Sequence, residues 1–386
     1  MSSPTSHIIS IGNETASLSV DLYGGGITDF HLQDGGINPL TFKFAPKNMP
    51  EHNRSGASYR GHFICLGRWG PPTAGEIKAG IPDHGQAANM IWTHNDIHSK
   101  QSPPPSCAVA SAKAHRAPVC HPETDKAGAA AGVCSSASTY QEIQINVLTP
   151  LEGLKIERTI QLDKHSAVFK VDEHITNINP LSRLYNMVQH PTIAKPFLTK
   201  STVVNCNADI GFNYLMSAKP SDHAAKWPYG AIENGGKMNV SKPDKPYSSV
   251  FSYTIKKGDE FGWITAYTPE FNLLFGYVWR RKTYPWISLW QDFDGGQIRY
   301  RGLEFGTTGM HKPYKQIIEE GNHEVFGERS YLLIDAGETQ QKSYIGFMLK
   351  TPGEFSEMSD VSFANDQISI KEENGNVFNI KTTLLI

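Results

Sequence analysis

An alternation of apolar and polar residues recurs along most of this chain, and it limits the possible folds more than any other feature. It runs through Leu18, Val20 and Leu22, returns at Ile143, Ile145 and Val147, and appears again at Leu154 with Ile156 and Ile160 with Leu162. Successive side chains of an extended strand point to opposite faces, so a period of two buries one face and leaves the other wet. Turn-forming clusters separate the runs: Gly24-Gly25-Gly26, Asp34-Gly35-Gly36, Glu152-Gly153, Asn177 to Pro180 and Asp294-Gly295-Gly296. No long segment carries a helical period. The stretch from Phe271 to Trp290, with Phe275, Tyr277, Trp279, Trp286 and Trp290, suits central strands of an antiparallel sheet. The expectation is an all-β fold, a large antiparallel β-sandwich with few short helices. Gly24 to Gly26 opens no helix and reads as a tight turn, and no P-loop or GxGxxG sequence is present.

A hydrophobic content of 39% over 386 residues is enough for one large core, and residues 1–386 read as a single sandwich domain. Within it, residues 93–138 break the alternation with Ala, Ser and Pro, including Pro103-Pro104-Pro105. Such a composition offers no face to pack, so this segment reads as a low-complexity insertion, a surface excursion or a disordered stretch. His94, His98, Cys107, His115, Cys120, His121 and Cys134 crowd into it at irregular intervals that do not match zinc knuckles, and no metal site is expected. Cys65, Cys107, Cys120, Cys134 and Cys206 are odd in number and lack CxxC spacing, which points to free thiols in a reducing compartment. The start, Met1 to His7, lacks the basic and apolar regions of a secretory signal, and a soluble, cytoplasmic protein is expected. A formal net charge of −2 gives no support to a nucleic-acid or membrane partner and leaves a small molecule as the expected ligand.

Three segments carry candidate chemistry. Ile81-Pro82-Asp83-His84-Gly85-Gln86 sets His84 on a turn fixed by proline and freed by glycine, and Trp92 follows as an apolar anchor. His190 ends the apolar-polar run Tyr185 to Gln189 and precedes Pro191, which puts its imidazole at a strand end; the alternative is a satisfied histidine at a sheet rim. Glu304 lies between Leu303 and Phe305, so alternation turns it away from them. Facing a cavity, its carboxylate becomes a candidate general base; facing solvent, it is an ordinary surface acid. Arg60 in Tyr59-Arg60-Gly61 and Arg68 in Gly67-Arg68-Trp69 are candidate ligands for a polar substrate. Asp292, in Gln291-Asp292-Phe293-Asp294-Gly295, is a candidate substrate-binding group and a possible second carboxylate for glycoside hydrolysis, although the same residues suit a hairpin turn. Trp69, Trp227 and Trp286 are candidates for stacking on a sugar face.

In this order, Gly25 to Thr28, Arg60-Gly61, the His84-Gly85 turn ending in Trp92, His190 and Leu303-Glu304 resemble the galactose mutarotase-like superfamily, which includes aldose 1-epimerases and hexose-6-phosphate 1-epimerases. The resemblance implies a supersandwich with a sugar-binding cleft and the interconversion of sugar anomers by acid-base ring opening and closure, without redox cofactor or metal. It assigns Glu304 as base, His190 as acid at the ring oxygen, His84 as a second imidazole on the ring, and Arg60 as a ligand to a hydroxyl or phosphate. Gln86-Ala87-Ala88-Asn89 stands where hexose-phosphate epimerases carry an arginine, which argues against a phosphate clamp there. Related folds also host sugar lyases, hydrolases and non-catalytic carbohydrate-binding proteins, and these are the alternative readings.

Overall fold

The computed structural model describes residues 7–95, 140–216, 219–352, 355 and 357–386. The alternating runs form strands as expected. Ala16, Leu18 and Val20 are the buried apolar positions of Ala16–Asp21, and Ile143, Ile145 and Val147 are buried along Tyr140–Thr149. Leucine, isoleucine and valine at every second position cover one face of each strand with apolar surface that only a second sheet can bury.

Two antiparallel sheets do so. The larger has eleven strands, and at its centre His62–Leu66, Met187–Ala194, Gln297–Gly302, Trp286–Asp294 and Ser249–Ile255 lie side by side. The short strand Glu304–Gly306 pairs with both Met187–Ala194 and Trp286–Asp294. The smaller sheet has eight strands, running from Val203–Cys206 through Leu273–Arg280 and Thr339–Lys350 to Tyr140–Thr149 and Thr93–His94. One cluster fills the space between them, drawing Ile64, Met187, Leu289 and Phe305 from the larger sheet and Ile156, Val171, Phe275 and Tyr344 from the smaller. The last three strands, Met358–Ala364, Gln367–Glu372 and Val377–Lys381, cover the other face of the smaller sheet through Val361, Ile368 and Ile370 against Trp263, Val278 and Phe347. Among the described residues the only α-helices are Ala74–Lys78 and Tyr314–Glu319, and no helix is long and apolar enough to cross a membrane.

A polar cluster is enclosed in this core. Arg158 and Glu173, both fully buried, pair at 2.7 Å. Arg158 also donates to the Gly25 carbonyl at 2.7 Å, and Gln189 donates to Glu173 at 2.8 Å. His62 bonds both Gln189 and Tyr277 at 3.1 Å, so the cluster links the two sheets and gives every charge a partner. The Gly24 to Gly26 turn is explained by close approach. A β-carbon on Gly25 would lie 2.3 Å from the Trp92 ring, and Trp92 is buried there as the anchor the sequence suggested.

Of the expected 93–138 insertion, Thr93, His94 and Asn95 are described; Thr93–His94 pairs with Asn146 and Ile145 as the edge of the smaller sheet. The remainder, with the zinc-ligand candidates from His98 to Cys134, lies outside the described residues. Cys65 and Cys206 are buried free thiols.

Candidate active site

The face of the larger sheet turned away from the core carries a cavity of about 500 Å³. The strands place its walls by alternation: His62 and Ile64 point into the sandwich, while Phe63 points out beside His190, its partner across the ladder. The Phe63 and His190 rings stack with centroids 4.2 Å apart. Glu304 follows the same rule, since Leu303 and Phe305 enter the core and Glu304 lines the cavity.

His190 and Glu304 meet there, His190 in the middle of Met187–Ala194 and not at the expected strand end, because Pro191 stays in the ladder opposite His62. His190 Nε2 lies 3.0 Å from Glu304 Oε1, with side-chain exposures of 7% and 1%. His190 Nδ1 is 3.1 Å from the Thr192 hydroxyl, which fixes the ring from behind. Neither Glu304 oxygen accepts an aligned hydrogen bond from a described residue, so the carboxylate keeps its acceptor capacity for a ligand. Gly302 makes room for it, because a methyl group at that position would lie 2.5 Å from Glu304 Oε1.

His84 reaches the cavity from its turn. The backbone on one side is held at Asp83, whose carbonyl accepts from Tyr59 at 2.8 Å and Asn53 at 3.1 Å. His84 itself has φ of 61°, and Gly85 follows at φ 81° with a β-carbon position only 2.0 Å from the Leu66 carbonyl, where only glycine fits. The His84 ring lies 5.6 Å from that of His190, and its Nδ1 has no hydrogen-bond partner among the described residues. Burial, reinforced by the His190 and His311 rings, holds its pKa well below the usual imidazole range.

His311, which the sequence reading passed over, completes the group. Its ring is 5.6 Å from His84, 5.6 Å from Tyr214 and 5.1 Å from Trp69. Burial, with a smaller contribution from His190, lowers its pKa to about 4. Both side imidazoles are therefore neutral at neutral pH, each able to donate one hydrogen bond and accept another. The signal was present in the sequence. Gly309-Met310-His311-Lys312-Pro313 has the same glycine and proline punctuation that drew attention to His84.

Aromatic rings form the rest of the wall, among them Phe42, Tyr59, Trp69 and Trp290, and Lys47, Glu51 and Arg54 stand exposed at the same cavity. Trp69 is the one of the three suggested stacking tryptophans that lines it; Trp286 is fully buried and Trp227 packs edge-on to Tyr253 at 5.6 Å. Two suggested substrate ligands lie elsewhere. Arg60 is taken up by an ion pair with Asp21 and does not line the cavity. Asp292 pairs with Arg299 at 2.7 Å across a hairpin whose two-residue turn, Gly295-Gly296, has both φ angles positive. Arg68 is held by Glu76 at 2.7 Å. Among the described residues no cluster of three or more His, Cys, Asp or Glu could hold a metal ion.

No family model and no curated protein matches the sequence. The fold has clear counterparts among solved structures. A Klebsiella pneumoniae protein provisionally named an aldose 1-epimerase superposes with a TM-score of 0.57 at 14% identity over 90% of this chain and 80% of its own. A galactose mutarotase-like protein from Clostridium acetobutylicum gives 0.55 at 13% over 89% and 95%. Another from Lactobacillus casei gives 0.52 at 10% over 89% and 100%. The chain has the galactose mutarotase-like fold, and at these identities the likeness is one of architecture.

Proposed function

We propose that this protein is an aldose 1-epimerase-like isomerase that interconverts the anomers of a cyclic sugar in the cavity of the larger sheet. The observation that carries the reading is the convergence of His84, His190 and Glu304, far apart in sequence, on one sugar-sized cavity, with a buried carboxylate 3.0 Å from an imidazole.

The chemistry follows from that spacing. The anomeric hydroxyl and the ring oxygen of an aldose are both bonded to C1, so a base for one and an acid for the other must be neighbours. Glu304 takes the proton from the anomeric hydroxyl, the C1 to ring-oxygen bond breaks as the carbonyl forms, and protonated His190 delivers the Nε2 proton to the ring oxygen. Thr192 accepts from Nδ1 and keeps Nε2 turned toward the sugar. Rotation about C1–C2 exposes the other carbonyl face, and reclosure returns both protons. Neutral His84 and His311 hydrogen-bond sugar hydroxyls without competing for the catalytic proton, and the aromatic wall covers the apolar face of the ring.

Glycoside hydrolysis fits less well. It requires two carboxylates flanking one bond, and beside Glu304 the acidic side chain lining the cavity is the exposed Glu51. Polarimetry across a panel of free and phosphorylated aldoses tests the proposal. A catalysed rate that falls by about 10³-fold in Glu304→Gln is expected; sugar binding without catalysed mutarotation of any sugar in the panel would make this a carbohydrate-binding protein instead.

A further inference from the structure

Glu152 has no part in the reaction above, yet it is fully buried at the turn between Tyr140–Thr149 and Leu154–Asp163. Its carboxylate faces the turn that carries His84. The Gln86 backbone N–H donates to both oxygens, at 3.2 and 3.1 Å, and the Gln86 side-chain oxygen accepts from the Leu151 N–H at 2.8 Å. Between this double tie and the Tyr59 and Asn53 bonds at Asp83, His84 is bent into the left-handed region, which a β-carbon disfavours. Gly85 leaves no slack, since a β-carbon there would also lie 2.7 Å from Glu152 Oε1. The segment Gln86 to Asn89, which departs from the pattern of the hexose-phosphate epimerases, thus has a use here. Its first residue fastens the turn.

We propose that Glu152 is a positioning residue that latches the His84 turn through the Gln86 backbone, and that its ionisation sets how firmly the His84 ring is presented to the cavity. Several groups face Glu152: the positively charged Arg68 and Arg183, the Thr149 hydroxyl and the Tyr314 phenol, with Glu76 reaching the group through Arg68. Burial outweighs the two arginines and raises the carboxyl to about 7. Ionised, it accepts from Gln86 by a charge-assisted bond; protonated, it accepts only as a neutral carbonyl, and the tie weakens. His84 and His311 are already neutral through this range, so a pH-dependent change at His84 that Glu152→Gln abolishes reports the latch and not protonation of His84 itself or of the His190 ring 5.6 Å away.

The kinetic half of the test rests on the epimerase reading; the spectroscopic half does not. In the full-length ¹⁵N-labelled chain, with the His84 ring assigned by its loss in His84→Gln, the His84 resonances are expected to shift between pH 6 and 8.5 with a midpoint near 7. In Glu152→Gln they are expected to remain at their acid-side positions. The ratio of wild-type to Glu152→Gln mutarotation kcat/KM, in which the shared dependence on the His190 acid cancels, is expected to rise about 3- to 10-fold over the same range, mainly through KM. Gln86→Ala, which removes only the bond to Leu151, is expected to loosen His84 at every pH and keep the midpoint. A midpoint near 7 that persists unchanged in Glu152→Gln, or His84 signals indifferent to both variants, would overturn the latch. Absence of mutarotation in the wild type would contradict the proposed function and leave the spectroscopic result to decide the latch.

Discussion

The strand Met187–Ala194 presents adjacent residues to opposite faces of the larger sheet, and the two faces treat buried ionisable groups differently. Inward, Gln189 joins His62, Glu173, Arg158 and Tyr284 in a cluster whose donors and acceptors meet at 2.7 to 3.1 Å. Outward, one residue on, His190 faces Glu304, whose oxygens receive no aligned hydrogen bond from a described residue, and His84, whose Nδ1 has none either. Both faces combine histidine with a buried glutamate. A polar group sealed in a core must be satisfied by protein, whereas one left open at a cavity has been kept for something that comes and goes. Burial alone therefore does not set the two faces apart; at the cavity it is joined by unspent hydrogen-bonding capacity on Glu304 and His84.

The largest difference should appear in stability. Glu173→Ala leaves Arg158 charged and unpaired in the core and is expected to cost about 3–5 kcal/mol, whereas Glu304→Ala changes stability by less than about 1 kcal/mol. Urea unfolding of the two variants measures both, and equal costs would mean that the faces do not differ as described. A smaller effect is expected from Gly302→Ala, whose methyl group displaces the Glu304 carboxylate. Misplacement of a catalytic group by about 1 Å costs on the order of 10²-fold in kcat/KM, so mutarotation should fall by about 10- to 100-fold while folding, followed by circular dichroism, is retained. Unchanged turnover would show that the position of Glu304 is not critical.

The architecture was legible because alternation is a local signal, and Leu18, Ile145 and Ile156 report their own burial. Glu304 was legible for the same reason, as the odd position beside Leu303 and Phe305, whereas His190 owes its place to the middle of Met187–Ala194 and not to the strand end that Pro191 suggested. What escaped depended on partners distant in the chain. Arg60 looked available until Asp21, 39 residues earlier, paired with it. Asp292 was drawn away by Arg299 across the hairpin, a competing role that Gly295-Gly296 did announce. Glu152 gave no sign of its bond to Gln86, 66 residues away, beyond marking a turn. The aromatic wall from Phe42 to Tyr59 carries no strand-like period, and only the fold gathers it over the site.

One paired measurement separates the two faces most directly: anomer exchange followed by NMR in His190→Gln and His62→Gln, each normalised to its folded fraction. His190→Gln is expected to keep its stability and lose catalysed exchange by about 10²-fold or more, while His62→Gln loses stability and exchanges sugar at nearly the wild-type rate per folded molecule. Exchange that survives in His190→Gln and vanishes in folded His62→Gln would place the chemistry on the inward face and contradict the assignment of the cavity as its site.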